Sequence, residues 1–220
     1  MLLTSSNVAV VSGARRITVR THYGRDMRIA IALFDGVEEL DFAGPWEVLA
    51  YWAREVAADA EVFTVAASLD PVTAAKGLRV LPDRTWDDAG KIDVVIMPGG
   101  RGSRALLGAD EPLHDRLRAL AAGGTLMTSV CTGALVYAAA GMLRGRPATT
   151  HWENLDELAA LDGTIEIRPD ARYVDDGDVI TAAGVSAGID MALHLVVRLD
   201  SADAARRTKR EIQYDPDPPV

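Results

Sequence analysis

The sequence predicts an α/β domain, a mostly parallel sheet covered by helices on both faces. Three observations carry the prediction. Short, uninterrupted apolar runs recur, among them "RIAIALF" (28–34), "DVVIM" (93–97) and "TLMTSV" (125–130). Strands buried on both faces read this way, whereas a half-exposed strand alternates. Segments of helical period separate these runs, and such alternation requires crossover connections between parallel neighbours. Hydrophobic residues make up 49% of the 220, enough for one domain with a substantial core.

The elements follow in order. Residues 28–34 form the first strand, and "DGVEELDFAG" (35–44) follows as a loop. Pro45 suits the opening of a helix, so "PWEVLAYWAREV" (45–56) is helical, with its apolar residues at helical spacing. "AEVFTVAAS" (60–68) is a second strand, and "VTAAKGLRVLPDRTW" (72–86) a pair of short extended pieces about Gly77. The strand 93–100 ends in a double glycine. "ADEPLHDRLRALAAG" (109–123) is a helix with an acidic first turn, residues 125–130 a strand, and "TGALVYAAAGML" (132–143) a helix. A helix over 153–160 and short strands near 164–168, 171–175 and 178–182 come next. The apolar helix "VSAGIDMALHLVVRL" (185–199) and an Arg-rich helix from 201 complete the domain, and the tail "QYDPDPPV" is proline-locked and extended.

Residues 1–26 stand apart. They hold Arg15, Arg16, Arg20 and Arg25 against Asp26 alone, and they show no sustained period. "VAVV" (8–11) is too short for the apolar core of a secretory signal. This stretch reads as a flexible or loosely docked extension, or a start site placed too early, ahead of a single domain over 27–220.

Composition excludes several classes. Lys and Arg total 23 against 32 Asp and Glu, a formal charge of −9, which opposes nucleic-acid binding. No apolar run approaches the ~18 residues of a membrane span. One cysteine cannot form an internal disulfide, so a reducing, cytoplasmic setting is expected. A lone cysteine and scattered histidines give no zinc spacing, and neither GxGxxG nor a P-loop occurs, so no metal or nucleotide cofactor is expected.

Candidate chemistry gathers at one sheet edge. In a doubly wound sheet, ligands bind beyond the carboxyl ends of the strands. Asp41 follows the first strand, Gly99 and Gly100 end "DVVIM", and Cys131 ends "TLMTSV". Cys131 has small residues two before and two after it, Ser129 and Gly133, as a strand-turn-helix nucleophile elbow requires. The helix that follows would favour an ionised sulfur; a buried, inert thiol is the alternative. A carboxyl at Asp41 facing a thiolate would hold its proton and pass it during reaction; an acid satisfied at a helix start is the alternative. Gly99 and Gly100 could turn N–H groups toward developing negative charge, or form a plain turn. Of the histidines, His151 in "ATTHW" lies nearest the site and offers a base, a supporting contact or packing. His194 reads as a core residue, His114 as solvated, and His22 lies in the extension. Trp46 and Trp52 read as core or dimer contacts.

Four stretches then carry a resemblance: "LFDGVEELDFAGPWEVL", "VVIMPGG", "SVCTGALVYAAAGMLRGRPATTHW" and "AGVSAGIDMALHLVVRL". Together they resemble the ThiJ/PfpI superfamily from about Met27 to the C-terminus, and within it the isonitrile (cyclohexyl-isocyanide) hydratase branch. The resemblance implies a flavodoxin-like three-layer sandwich of the class I glutamine amidotransferase type, usually a cofactor-free homodimer acting on a small molecule. It implies hydration of R–N≡C to an N-substituted formamide through a thioimidate. Cys131 would be the nucleophile, Asp41 the acid that handles protons, Thr132 the residue after the nucleophile, and Gly100 an N–H donor. Protease-like members carry His where Thr132 stands, which speaks against a Cys-His dyad, and Asp41 departs from the Glu of glyoxalase-like members. Other small-molecule hydrolase or glyoxalase-like chemistry, a ligand sensor akin to the regulator domains, and an oxidation sensor remain open as alternatives.

Overall fold

A computed structural model describes residues 27–57, 60–108 and 111–216. The extension over 1–26 and the last four residues of the tail lie outside them.

The strands of the main sheet are β1 (Met27–Ala32), β2 (Ala60–Ala66), β5 (Arg84–Thr85), β6 (Val94–Met97), β7 (Leu126–Val130), β10 (Tyr173–Asp175) and β11 (Val179–Ala182). They lie in the order β10-β11-β7-β6-β1-β2-β5. Every pairing is parallel except β10 with β11 at one edge. Two small ladders complete the strands. β3 (Val72–Thr73) pairs with β4 (Arg79–Val80), as expected for the pieces about Gly77, and β8 (Pro147–Ala148) with β9 (Glu166–Ile167).

The uninterrupted apolar runs have the predicted cause. Ile29 and Ile31 of β1 enter one core with α1 (Glu39–Trp52), α5 (Ala187–Leu199) and α6 (Ala202–Glu211). Ala30 and Ala32 enter a second core, on the other face, with α2 (Pro112–Ala122), α3 (Gly133–Ala139) and α4 (Leu155–Leu161). Each central strand thus feeds two apolar layers, and the result is the flavodoxin-like sandwich.

The first helix corrects the sequence reading. It begins at Glu39, within the expected loop, and Pro45 lies inside it. A proline there removes a helical hydrogen bond and costs ~3 kcal/mol. Phe42, Val48, Leu49 and Trp52 are buried on that helix, and large apolar side chains contribute ~1.5–3 kcal/mol each on burial. Packing therefore outweighs the proline. The shift matters, because it places Asp41 in the first turn of α1 rather than in a loop.

The chain runs from β1 outward to β2, then returns to β6 on the other side of β1. Beyond the carboxyl ends at this reversal a crevice opens. An isolated antiparallel bridge between Val37 and Gly100 ties the two loops that border it.

Candidate active site

Cys131 follows β7 directly and has φ of 55°, the left-handed region that L-residues other than glycine rarely enter. The bend is held from three sides. The Cys131 N–H donates to the carbonyls of Ala183 (3.0 Å) and Ala182 (3.2 Å). The Thr150 hydroxyl donates to the Cys131 carbonyl at 2.7 Å. A Cβ at Gly133 would lie 2.0 Å from the Met97 carbonyl oxygen, so only glycine lets α3 pass this close to β6. The predicted strand-turn-helix elbow is therefore present, and its strain is held in place by surrounding structure. Val185, on the loop before α5, also has a positive φ, 47°.

Asp41 is fully buried. Its Oδ2 accepts the Gly99 N–H at 2.9 Å, and its Oδ1 has no well-aligned partner. Burial pushes the carboxyl up to about 7, the Gly99 hydrogen bond opposes the rise, and Glu38 adds to it. The Cys131 thiol is close enough for each group to act on the other's proton affinity. Burial, and then the charge of Asp41, pushes the thiol up to about 12, while the backbone N–H groups of Thr132 and Val185 pull the other way. Burial thus raises the acid's proton affinity, the direction expected. The expectation of an ionised sulfur is corrected: the resting thiol keeps its proton. The cause is desolvation, which the seven residues of α3 do not overcome.

The thiol is buried, only 6% exposed, but it is not sealed off. Cys131, Thr132, Gly100, His151 and Val185 line an open depression of about 390 Å³, with Glu38, Arg101, Arg104, Glu153 and Asn154 at its margin.

Gly99 and Gly100 differ from the sequence reading. The Gly99 N–H donates to Asp41, and the Gly100 N–H to Thr132 Oγ1 at 2.9 Å. Neither is free to receive a substrate in this state. Their work is internal: a Cβ at Gly99 would sit 2.4 Å from the Thr132 nitrogen and 3.0 Å from Asp41 Oδ2. The bare backbone lets the acid, the elbow and the β6 loop meet.

His151 borders the depression as anticipated. Its Nδ1 accepts the Glu153 N–H at 3.3 Å and lies 3.8 Å from the Glu153 carboxylate. His194 is not simply packed: its Nε2 meets Asp175 Oδ2 at 2.7 Å and its ring stacks on Tyr173. His114 is buried, not solvated, with Nε2 2.7 Å from the Leu106 carbonyl. Trp52 is a core residue whose Nε1 donates to Asp200 at 3.0 Å. Thr150 and Ser103 hold the site and were not anticipated. Thr150 adjoins His151 in "ATTHW", whereas Ser103 in "GGRGSR" looks like any loop serine.

Comparison with known proteins agrees with this architecture. The chain is 41% identical over 193 residues to the isonitrile hydratase of Pseudomonas putida, spanning 88% of this chain and 81% of that protein. It is 34% identical over 128 residues to the HTH-type transcriptional regulator GbdR of Pseudomonas aeruginosa, covering 34% of the regulator. A crystal structure of a ThiJ/PfpI family protein from Pseudomonas syringae superposes with a TM-score of 0.79 at 32% identity, covering 98% of this chain and 86% of that one. The DJ-1/PfpI family profile matches residues 27–198. With that match across the sheet, the elbow and α5, the chain belongs to the DJ-1/PfpI family.

Proposed function

We propose that this protein is a cysteine-dependent hydratase that adds water to an isonitrile and releases an N-substituted formamide. The observation that carries the reading is the 41% identity to an isonitrile hydratase across 88% of the chain. A buried acid of raised pKa beside the elbow thiol supports it chemically.

The steps balance without an added cofactor. The Asp41 carboxylate takes the Cys131 proton as sulfur bonds to the terminal isonitrile carbon. Asp41 then returns that proton to the same carbon, giving the thioimidate R–N=CH–S–Cys131. Water adds to this carbon, and one of its protons reaches nitrogen. The C–S bond breaks, the thiolate recovers a proton through Asp41, and R–NH–CHO leaves. A carboxyl titrating at about 7 is matched to both halves of this shuttle. The Thr132 and Val185 N–H groups ease the charge on sulfur, and His151 lines the same depression.

Exposed Leu40, Leu69, Leu78 and Leu81 around α1 and the β3–β4 ladder support a homodimer. Among the described residues no helix is long and apolar enough to cross a membrane. The similarity to GbdR favours a second reading, a ligand-sensing domain. One experiment separates them: purified protein is given a panel of small isonitriles and followed by NMR. Catalytic growth of the formyl resonance supports the hydratase. Saturable binding with no formamide supports the sensor.

A further inference from the structure

Between the β6 loop and the elbow, three polar groups form a closed set inside the protein. Ser103 is fully buried and Thr132 almost so. The Ser103 hydroxyl lies 2.8 Å from the Gly100 carbonyl and 3.0 Å from Thr132 Oγ1. Thr132 Oγ1 accepts the Gly100 N–H at 2.9 Å and lies 3.3 Å from the Gly100 carbonyl. Each hydroxyl has one hydrogen to give. The Ser103 hydrogen is shared between the Gly100 carbonyl and Thr132 Oγ1, the Thr132 hydrogen goes to the Gly100 carbonyl, and the Gly100 N–H closes the ring on Thr132 Oγ1. Every donor is then used.

We propose that Ser103 is a positioning residue for Cys131, acting through Thr132 to fix the elbow turn. The chain of contact is short. Ser103 belongs to the short 3-10 helix Arg101–Leu106, whose inner side meets the elbow. Thr132 is the residue after the nucleophile, and its N–H is one of two backbone groups that ease charge on the sulfur. Its side chain has no other partner than this set among the described residues. Without the Ser103 hydroxyl, the Gly100 carbonyl loses its shortest partner and Thr132 Oγ1 loses one of its two donors. The turn then gains freedom where the sulfur needs a fixed donor. A second consequence reaches Asp41, because the next N–H back along the β6 loop, that of Gly99, is the one its carboxylate accepts.

The inference deepens the hydratase reading but can be tested apart from it, because Cys131 is the sole cysteine and its alkylation reports on the elbow directly. The second-order rate of carbamidomethylation by iodoacetamide is measured on the full chain from pH 6 to 10. Ser103→Ala lowers the rate about fivefold across this range, the effect of one ordinary hydrogen bond. Ser103→Thr keeps the hydroxyl and restores the rate. Thr132→Val gives the same loss, and adding Ser103→Ala to it costs nothing more, since both remove one coupled unit. An unchanged rate in folded Ser103→Ala would overturn the proposal, and so would losses that multiply in the double variant, or equal losses in Ala and Thr at position 103. If Ser103→Ala does not fold, Thr132→Ser against Thr132→Val carries the same test, with equal rates overturning it. Where formamide is formed, kcat falls and KM holds. An alkylation effect with no formamide from any variant would retain Ser103 as the positioning residue and remove the hydratase.

Discussion

Replacing Asp41 by Asn tests the buried acid without any substrate. The carboxyl titrates at about 7 in the fold, against an ordinary 3.8. Its folded affinity for the proton is raised, so between these two values the folded state holds more protons than the unfolded chain. Stability therefore falls as pH rises through that window. At about 1.36 kcal/mol per pH unit, the fold loses on the order of 4 kcal/mol from this group between pH 4 and pH 7.5. The substituted amide has nearly the same shape as the carboxyl and no charge. Its oxygen can accept the Gly99 N–H, and its NH₂ meets the site where Oδ1 has no aligned partner, at a fixed cost of ~1–3 kcal/mol. That cost shifts the variant's curve without tilting it. Urea denaturation at half-unit pH intervals measures both proteins, and other titrating groups cancel in their difference. The expected difference moves by about 4 kcal/mol in favour of the Asp41→Asn variant as pH rises from 4 to 7.5. Parallel curves, within about 1 kcal/mol of a constant offset, would refute the raised proton affinity of Asp41.

Other outcomes follow from the same geometry. Gly99→Ala places a methyl 2.4 Å from the Thr132 backbone nitrogen, so it lowers stability by ~2 kcal/mol or more and sharply slows Cys131 alkylation; a variant with native melting and alkylation would contradict the close approach. The pH profile of kcat/KM for an isonitrile rises through about 7 as Asp41 loses its proton; an ascending limb near 4 would assign the base elsewhere. Leu81→Glu charges the most exposed of Leu40, Leu69, Leu78 and Leu81, at 68%, and, if the proposed homodimer forms through this ladder, shifts the mass by light scattering toward monomer; an unchanged mass would contradict that contact.

The sheet was legible because its strands are buried twice over. Ile29 to Ala32 and Val94 to Met97 need no period to be read as strands, and the elbow shows in the spacing of Ser129, Cys131 and Gly133. The start of α1 was not legible, since Gly44-Pro45 carries a local signal for a boundary while the packing of Phe42, Leu49 and Trp52 against α5 is a tertiary fact. The convergence of Asp41, Gly99 and Cys131 followed from topology alone. The direction of their hydrogen bonds did not: Gly99 and Gly100 left open either free N–H groups or a plain turn, and the fold commits both N–H groups, to Asp41 and Thr132. The protonation of Cys131 was hidden for a related reason. A helix start is visible in sequence, but the desolvation that outweighs it is not. Ser103 and His114 are polar letters in loop and helix contexts, and only the fold buries them.

The central claim is that the Cys131 sulfur bonds to the isonitrile carbon. The most direct test is intact-protein mass spectrometry of the protein quenched during incubation with an isonitrile, beside the Cys131→Ala variant. The expected result is a transient gain equal to the full mass of the isonitrile, mapped to Cys131, with no adduct and no formamide from the variant. Formamide formed at the wild-type rate by Cys131→Ala would contradict it.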